Sequence, residues 1–132
     1  IGVSLAIIDK RRPQQNVAEV MSVIGDVKGK DVIMMDDIID TAGTIVGAAE
    51  ALKELGAQKI FVSCTHALFN GPAVTRLSNA PIEKVVVTNT VPLTREKMFD
   101  KVEIVSIAPL LASTIDHIHT GSSISVLFDD KC

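Results

Sequence analysis

Short apolar runs recur along the chain, and polar or turn-forming segments separate them. Runs of this length and composition are typical of buried strands. They predict strands at Val3–Asp9, Val17–Ile24, Asp31–Met35, Lys59–Thr65, Lys84–Thr88 and Val102–Ile107. Lys10–Gln15 is basic and polar and should be a loop, and Asp26–Lys30 has the composition of a turn. Ile124–Phe128 is expected to be a short closing strand or an extended tail.

A second spacing indicates helices. Apolar residues recur at helical intervals from Thr44 to Leu55, and Gly56 has the position of a C-cap. Pro72–Leu77 and Pro109–His119 also have the pattern of helices. Strands that alternate with helices imply parallel pairing and a covered sheet. The predicted fold class is therefore α/β, with a mostly parallel sheet and flanking helices in a Rossmann-like three-layer arrangement.

Composition and charge narrow the possible functions. The 132 residues fit a single domain, residues 1–132, with an aliphatic core, because only 3% of them are aromatic. The net charge is −3, whereas binding to a nucleic-acid backbone needs a basic face, so no nucleic-acid partner is expected. No apolar stretch is long enough to span a membrane. Cys64, in an apolar run, and the terminal Cys132 suit a reducing cytoplasm.

The segment Val32–Thr44 says most about function. An apolar run leads to Asp36 and Asp37, and a loop of small and hydroxylated residues, Asp40–Thr44, precedes the predicted helix. Backbone N–H groups of such a loop can surround a phosphate at a helix N-terminus, and Gly43 permits close approach of an anion. Adjacent carboxylates suit the hydroxyls of a ribose or a magnesium ion. The pattern predicts a ribose-phosphate site.

A simpler interpretation of the same segment stays open. Asp40 or Thr41 could be an N-cap, and the acidic pair could be polar residues at the end of a strand. Because Ala42 is not glycine, we expect its φ to be negative. His117 and His119 lie two apart on a predicted helix and do not share a face, and we expect both to be exposed. His66 follows a strand, where a hydrogen-bonded structural role is as well supported as contact with a ligand.

The loop resembles the signature of the type I phosphoribosyltransferase fold, and the chain as a whole resembles the ribose-phosphate pyrophosphokinase family. Six segments support the resemblance over essentially the whole chain. They are Ala6–Pro13 with Asn16, Gly25–Val27, Asp36–Thr44, Thr65–Pro72, Val87–Pro92 and Ser123–Phe128. The acidic loop alone would indicate only the broader fold.

The resemblance implies an activity and a role for several residues. The family transfers the diphosphoryl group of ATP to ribose 5-phosphate, giving phosphoribosyl pyrophosphate and AMP, and requires Mg²⁺. Lys10 and Arg12 would stabilise the transferring phosphates on a catalytic loop, with Asn16 nearby. Ser123, Ser125 and Phe128 would belong to an allosteric phosphate or ADP site, although a simple packed tail fits them equally. The ribose 5-phosphate site would comprise Asp36, Asp37, Asp40, Thr41, Ala42, Gly43 and Thr44.

The same resemblance implies that the chain is an incomplete C-terminal domain of a two-domain enzyme. The segments that supply most of the ATP site and the metal ligands of the family have no counterpart here, so no metal ligand is assigned and the chain alone should be inactive. The family forms homo-oligomers, in which dimers build a hexamer. Two alternatives remain: a base-transferring phosphoribosyltransferase, and a non-catalytic regulatory paralogue of the synthetase.

Overall fold

The structure is a computed structural model that describes residues 2–11 and 20–128. Three α-helices and two short 3₁₀ helices, Arg95–Lys97 and Ser125–Leu127, lie in this part of the chain. The strands are β1 (Ile7–Arg11), β2 (Val20–Ile24), β3 (Val32–Ile39), β4 (Ile60–Ala67), β5 (Lys84–Thr88) and β6 (Val102–Val105). The helices are α1 (Gly43–Glu54), α2 (Ala73–Asn79) and α3 (Ala108–His119).

A parallel sheet of four strands, in the order β3-β4-β5-β6, is the centre of the fold. Strand β3 pairs with β4 from Val32 opposite Ile60 to Ile39 opposite Ala67. The other two pairings are parallel as well. This arrangement confirms the predicted α/β class with a parallel sheet. Because the carboxyl ends of parallel strands meet at one edge, the segments that follow β3, β4 and β5 lie together there.

The helices and β5 form close to where the sequence predicts them. Helix α1 lies within one residue of its predicted bounds at each end, and β5 has the predicted bounds. Gly56 ends α1 with a φ of 89°, and its N–H donates to the Lys53 carbonyl at 3.0 Å. The N–H of Ala57 donates to the Leu52 carbonyl at 3.1 Å, which completes a Schellman motif. The predicted C-cap glycine is therefore confirmed.

In the described part of the chain, the core lies against one face of the sheet. Met34 is buried there, whereas its neighbours Ile33 and Met35 point to the other face and are 69% and 78% exposed. Helix α3 has no buried residue. The buried cluster joins α1, α2 and the sheet through Ile45, Ala48, Ala49, Leu52, Ala73, Leu77, Ile60, Val62, Cys64, Val85 and Val87.

The N-terminal strand differs from its prediction. Val3 and Leu5, predicted to be buried, are 77% and 82% exposed, and β1 begins only at Ile7. Lys10 and Arg11 extend this strand, although a loop was predicted from Lys10 onward. The strand β1 pairs antiparallel with β2 as a separate ribbon, and Val3 and Leu5 precede its first paired residue, Ile7. Such a ribbon packs one face on the core and leaves alternate apolar residues in solvent.

The C-terminal segment is also different from its prediction. Residues 125–127 form a 3₁₀ helix, neither a strand nor an extended tail. The Ser123 hydroxyl accepts the N–H of Ser125 at 3.3 Å and lies 2.6 Å from the Ser125 hydroxyl. Serine side chains that bond to the nearby backbone favour turns over strand pairing. No helix in the described residues is long and apolar enough to cross a membrane.

Candidate functional site

The acidic pair lies inside the last part of β3 and not beyond its end. The strand runs on to Ile39 because β4 stays in register with it, with Asp36 opposite Cys64 and Ile38 opposite His66. The Asp36 carboxylate accepts the N–H of Asp37 at 2.9 Å. Both acids are exposed. Among the described residues, none donates a hydrogen bond to the Asp37 carboxylate, which is therefore open to a ligand.

The loop after β3 turns into α1 through Ala42, which has φ 61° and ψ 8°. The prediction of a negative φ at this residue is wrong. Two contacts from later in the chain hold the turn: the Asn70 N–H donates to the Asp40 carbonyl at 2.9 Å, and the Arg76 guanidinium donates to the Thr41 carbonyl at 3.0 Å. The Ala42 side chain is buried. Tertiary contacts thus outweigh the local cost of a left-handed alanine, about 1–2 kcal/mol.

Helix α1 begins without a capping side chain. Its N-cap residue is Ala42, which makes no side-chain cap hydrogen bond, so neither Asp40 nor Thr41 is the N-cap. The Ala42 carbonyl accepts the first helical hydrogen bond, from Val46 at 3.0 Å. The N-terminal turn of a helix offers backbone donors and a positive dipole end to an anion. This geometry can bind a phosphate, and it favours the functional interpretation of residues 40–44 over the simple cap.

A second loop, the one after β4, supports the first, and the sequence alone does not predict this role. The Asn70 side-chain amide donates to the Asp40 carboxylate at 2.7 Å. Lys97 donates to the Leu68 carbonyl and lies 3.5 Å from the Asn70 amide oxygen. Phe69, in the left-handed region with φ 46°, is buried with its ring centroid 6.0 Å from that of Phe99. The only sequence signal was the segment Thr65–Pro72, which gave no role for its asparagine.

His66 is tied into a threonine cluster at the same edge. The Thr90 hydroxyl donates to the Thr65 carbonyl at 2.8 Å, and His66 Nδ1 lies 2.9 Å from the Thr90 oxygen. Thr88 donates to the same Thr65 carbonyl at 2.7 Å. His66 therefore has the hydrogen-bonded structural role that was one of its two interpretations.

Cys64 lies on β4, directly opposite Asp36 of β3. Its Sγ is within hydrogen-bond distance of the carbonyl oxygens of His66, at 3.3 Å, and of Asp37, at 3.5 Å. Burial raises the pKa of this thiol above its ordinary value. The expectation of a buried thiol is confirmed. Cys132 lies outside the described residues.

The remaining predicted residues are not brought into this site by the described structure. The backbone of Lys10 lies in β1, and Arg12 and Asn16 lie outside the described residues. Ser123 and Ser125 bond to each other at 2.6 Å, and Phe128 is 67% exposed. No group of three or more metal-binding side chains occurs in the described ranges.

The two histidines of α3 have different surroundings. His117 is half-buried, and its Nδ1 lies 2.8 Å from the Ser113 carbonyl, whereas His119 is exposed. The prediction of exposure is therefore wrong for His117 and confirmed for His119. The backbone carbonyl one turn earlier explains the difference, because it gives the His117 ring a partner on the helix itself.

The sheet and its edge define a class of protein. A parallel sheet whose edge strand carries an acidic pair near its carboxyl end, followed by a left-handed turn into a helix without a capping side chain, is typical of a phosphoribosyltransferase-like α/β protein. Within that class, the family model described as the phosphoribosyl synthetase-associated domain matches residues 6–129. The chain belongs to this family.

Similar proteins support the assignment. A ribose-phosphate pyrophosphokinase of Caldanaerobacter subterraneus subsp. tengcongensis is 56% identical over 128 residues, which cover 97% of this chain and 40% of that protein. One from Clostridium acetobutylicum is 50% identical over 127 residues, covering 96% of this chain and 40% of that protein. The chain thus spans about two fifths of the length of the curated relatives that it matches.

A solved structure agrees in fold. The crystal structure of phosphoribosylpyrophosphate synthetase from Mycobacterium smegmatis superposes with a TM-score of 0.82 at 44% identity. The match covers 92% of this chain and 38% of that one. The fold predicted from the sequence is confirmed by this likeness.

Proposed function

We propose that this chain is the ribose 5-phosphate-binding part of a ribose-phosphate pyrophosphokinase. The 1-hydroxyl oxygen of ribose 5-phosphate attacks the β-phosphorus of ATP and its proton is released to solvent. The bond from that phosphorus to the oxygen that bridges to the α-phosphorus breaks, and AMP leaves with that oxygen. The products are phosphoribosyl pyrophosphate and AMP. The observation that supports this function most strongly is the uncapped start of α1 after the acidic end of β3, in a chain about half identical to proteins of that name.

The loop Asp40–Thr44 would hold the 5-phosphate of the sugar. Backbone N–H groups at the start of α1 and the hydroxyls of Thr41 and Thr44 are the donors. Hydrogen bonds to a charged group contribute about 1.5–3 kcal/mol each, and the helix dipole adds roughly 0.3–1 kcal/mol. The geometry of the loop therefore matters more than the dipole.

Asp36 and Asp37 would hold the ribose hydroxyls. Asp37 suits this role because its carboxylate has no hydrogen bond from the described residues, whereas Asp36 already accepts the N–H of Asp37. Carboxylates are also the oxygen donors that magnesium prefers. The two exposed carboxylates are a donor set that fits a Mg²⁺ ion whose other ligands would be water and substrate oxygens. When bound, the ion neutralises charge on the phosphates.

Lys10 and Arg12 would stabilise the negative charge of the transferring diphosphoryl group. Phosphoryl transfer depends mostly on positioning and charge stabilisation, for which an Arg fork and a Lys point charge are suited.

By the same family relation, the parent protein would be cytoplasmic and homo-oligomeric, with dimers building a hexamer. Ser123, Ser125 and Phe128 would then contribute to an allosteric phosphate or ADP site.

A chimera tests this function. This chain replaces the matching segment of the Caldanaerobacter subterraneus subsp. tengcongensis enzyme, and formation of AMP that depends on ribose 5-phosphate is measured. The chain alone should form none, and the chimera should be active. Lys10→Ala in the chimera should abolish activity without changing ribose 5-phosphate binding. A folded chimera that binds ribose 5-phosphate but forms no AMP would instead support a regulatory paralogue.

A further inference from the structure

A chain of contacts joins the loop Asp40–Thr44 to two later segments, through Asp40, Asn70 and Lys97. Lys97, in the 3₁₀ helix after β5, lies 3.5 Å from the amide oxygen of Asn70. The amide nitrogen of Asn70, in the loop after β4, donates to the Asp40 carboxylate at 2.7 Å. The contact between Asn70 and Asp40 joins residues 30 positions apart in the sequence.

Asn70 is bonded to Asp40 twice. Its backbone N–H also donates to the Asp40 carbonyl, at 2.9 Å. The loop that holds Asn70 is itself fixed to β3, because the N–H groups of Leu68 and Phe69 both donate to the Ile39 carbonyl, at 3.0 and 3.2 Å. Asn70 therefore fixes both the Asp40 carboxylate and the Asp40 backbone, from which the loop continues to Thr44.

The contacts also have an electrostatic consequence. Asp40 is an anion at the start of a loop whose function requires a second anion, the phosphate. A carboxylate with free lone pairs could fold onto the donors of the loop and compete with the ligand. The Asn70 amide occupies one oxygen of this carboxylate, and the Lys97 ammonium polarises the amide so that it donates more strongly.

We propose that Asn70, supported by Lys97, is a positioning residue for the ribose-phosphate loop and keeps the Asp40 carboxylate away from the phosphate donors. The proposal rests on the proposed function and adds to it a residue outside the Asp36–Thr44 motif. Asn70→Asp removes the donor and sets two carboxylates against each other, so it should weaken ribose 5-phosphate binding about tenfold or more.

Calorimetric titration of this chain with ribose 5-phosphate tests the effect on affinity. The matched control is Asn79→Asp, which introduces the same charge on an exposed residue at the end of α2. Its affinity should stay within about twofold of the wild type. Binding by Asn70→Asp that equals that of the control would overturn the inference.

A second readout does not depend on ribose 5-phosphate. Backbone amide resonances of residues 41–44 should move in Asn70→Asp and stay in place in Asn79→Asp. The exchange Asp40→Asn/Asn70→Asp keeps one amide and one carboxylate, so it should return these resonances toward their wild-type positions. Unmoved resonances in Asn70→Asp, or no recovery in the exchange, would overturn the inference. If the variants show these resonance changes but the wild-type chain does not bind ribose 5-phosphate, the positioning role of Asn70 stands and the proposed function is contradicted.

Discussion

At the scale of single residues, Ala42 shows how tertiary contacts override local preference. Its left-handed conformation is held by bonds to the carbonyls on either side of residue 41, from Asn70 to Asp40 and from Arg76 to Thr41. The two donors lie 30 and 35 residues later in the sequence. The alanine side chain alone favours a negative φ, and contacts with such distant residues cannot be recognised in the local sequence.

Ala42→Gly tests this conformation. Glycine removes the left-handed strain but also a buried methyl group, so the free energy of unfolding in urea should change by less than about 0.5 kcal/mol. Ala51→Gly, in the interior of α1, should lower it by about 1 kcal/mol. Equal losses in the two variants would contradict a positive φ at residue 42.

Cys64 leads to a pH-dependent prediction. Because burial raises the pKa of the folded thiol above its ordinary value of 9.0, the unfolded chain ionises first as pH increases. The contribution of Cys64 to stability is therefore present below pH 9.0 and declines above it. In a Cys132→Ser background, Cys64→Ala should remove this decline in urea unfolding measured from pH 7 to pH 10. An identical decline with and without Cys64 would assign it to other groups.

At the scale of elements, the spacing of apolar residues predicts the structure correctly where that spacing is compatible with only one kind of element. Helix α1 shows this, because its apolar residues define both the helix and the face that it buries. A period of two does not say which strand pairs with which, so the antiparallel pairing of β1 with β2 was not predicted. The C-terminal segment, expected to be a short strand or an extended tail, is a 3₁₀ helix, and the Ser123 hydroxyl accepts the N–H of Ser125 at its start. Asn70 was missed because its role depends on a contact between distant segments.

The Schellman motif of α1 leads to a prediction at this scale. Gly56 has a φ of 89°, and a Cβ there would lie 3.2 Å from Lys28 Cγ. Gly56→Ala should therefore lower the free energy of unfolding by about 1–2 kcal/mol. Gly29→Ala is the control, since it also has a positive φ, 72°, but no atom within 4 Å of a Cβ. The loss at Gly56 should be equal to or larger than the loss at Gly29, and a smaller loss would contradict the motif.

At the scale of the whole molecule, the described residues build a core on one face of the sheet. Met34 is 8% exposed within this core, and its neighbour Ile33 on the same strand is 69% exposed on the opposite face. The sequence predicted a parallel sheet with helices because strands and helices alternate. It could not show how much of each face the chain itself covers, since both faces of β3 are rich in apolar residues.

Paired truncations on β3 test this asymmetry. Met34→Ala should lower the free energy of unfolding by about 2–5 kcal/mol, because it leaves a cavity in a packed core. Ile33→Ala should lower it by less than about 1 kcal/mol, since most of its side chain is already in water. Losses of similar size would mean that the face carrying Ile33 is covered in solution.

The central claim is that residues 36–44 form a working ribose-phosphate site. Calorimetric titration of this chain with ribose 5-phosphate and with phosphoribosyl pyrophosphate, with and without Mg²⁺, tests it most directly. An Asp37→Asn/Thr44→Val variant is the control. We expect saturable binding by the wild type that the control loses. A chain that circular dichroism shows to be folded, yet binds neither compound, would contradict the claim.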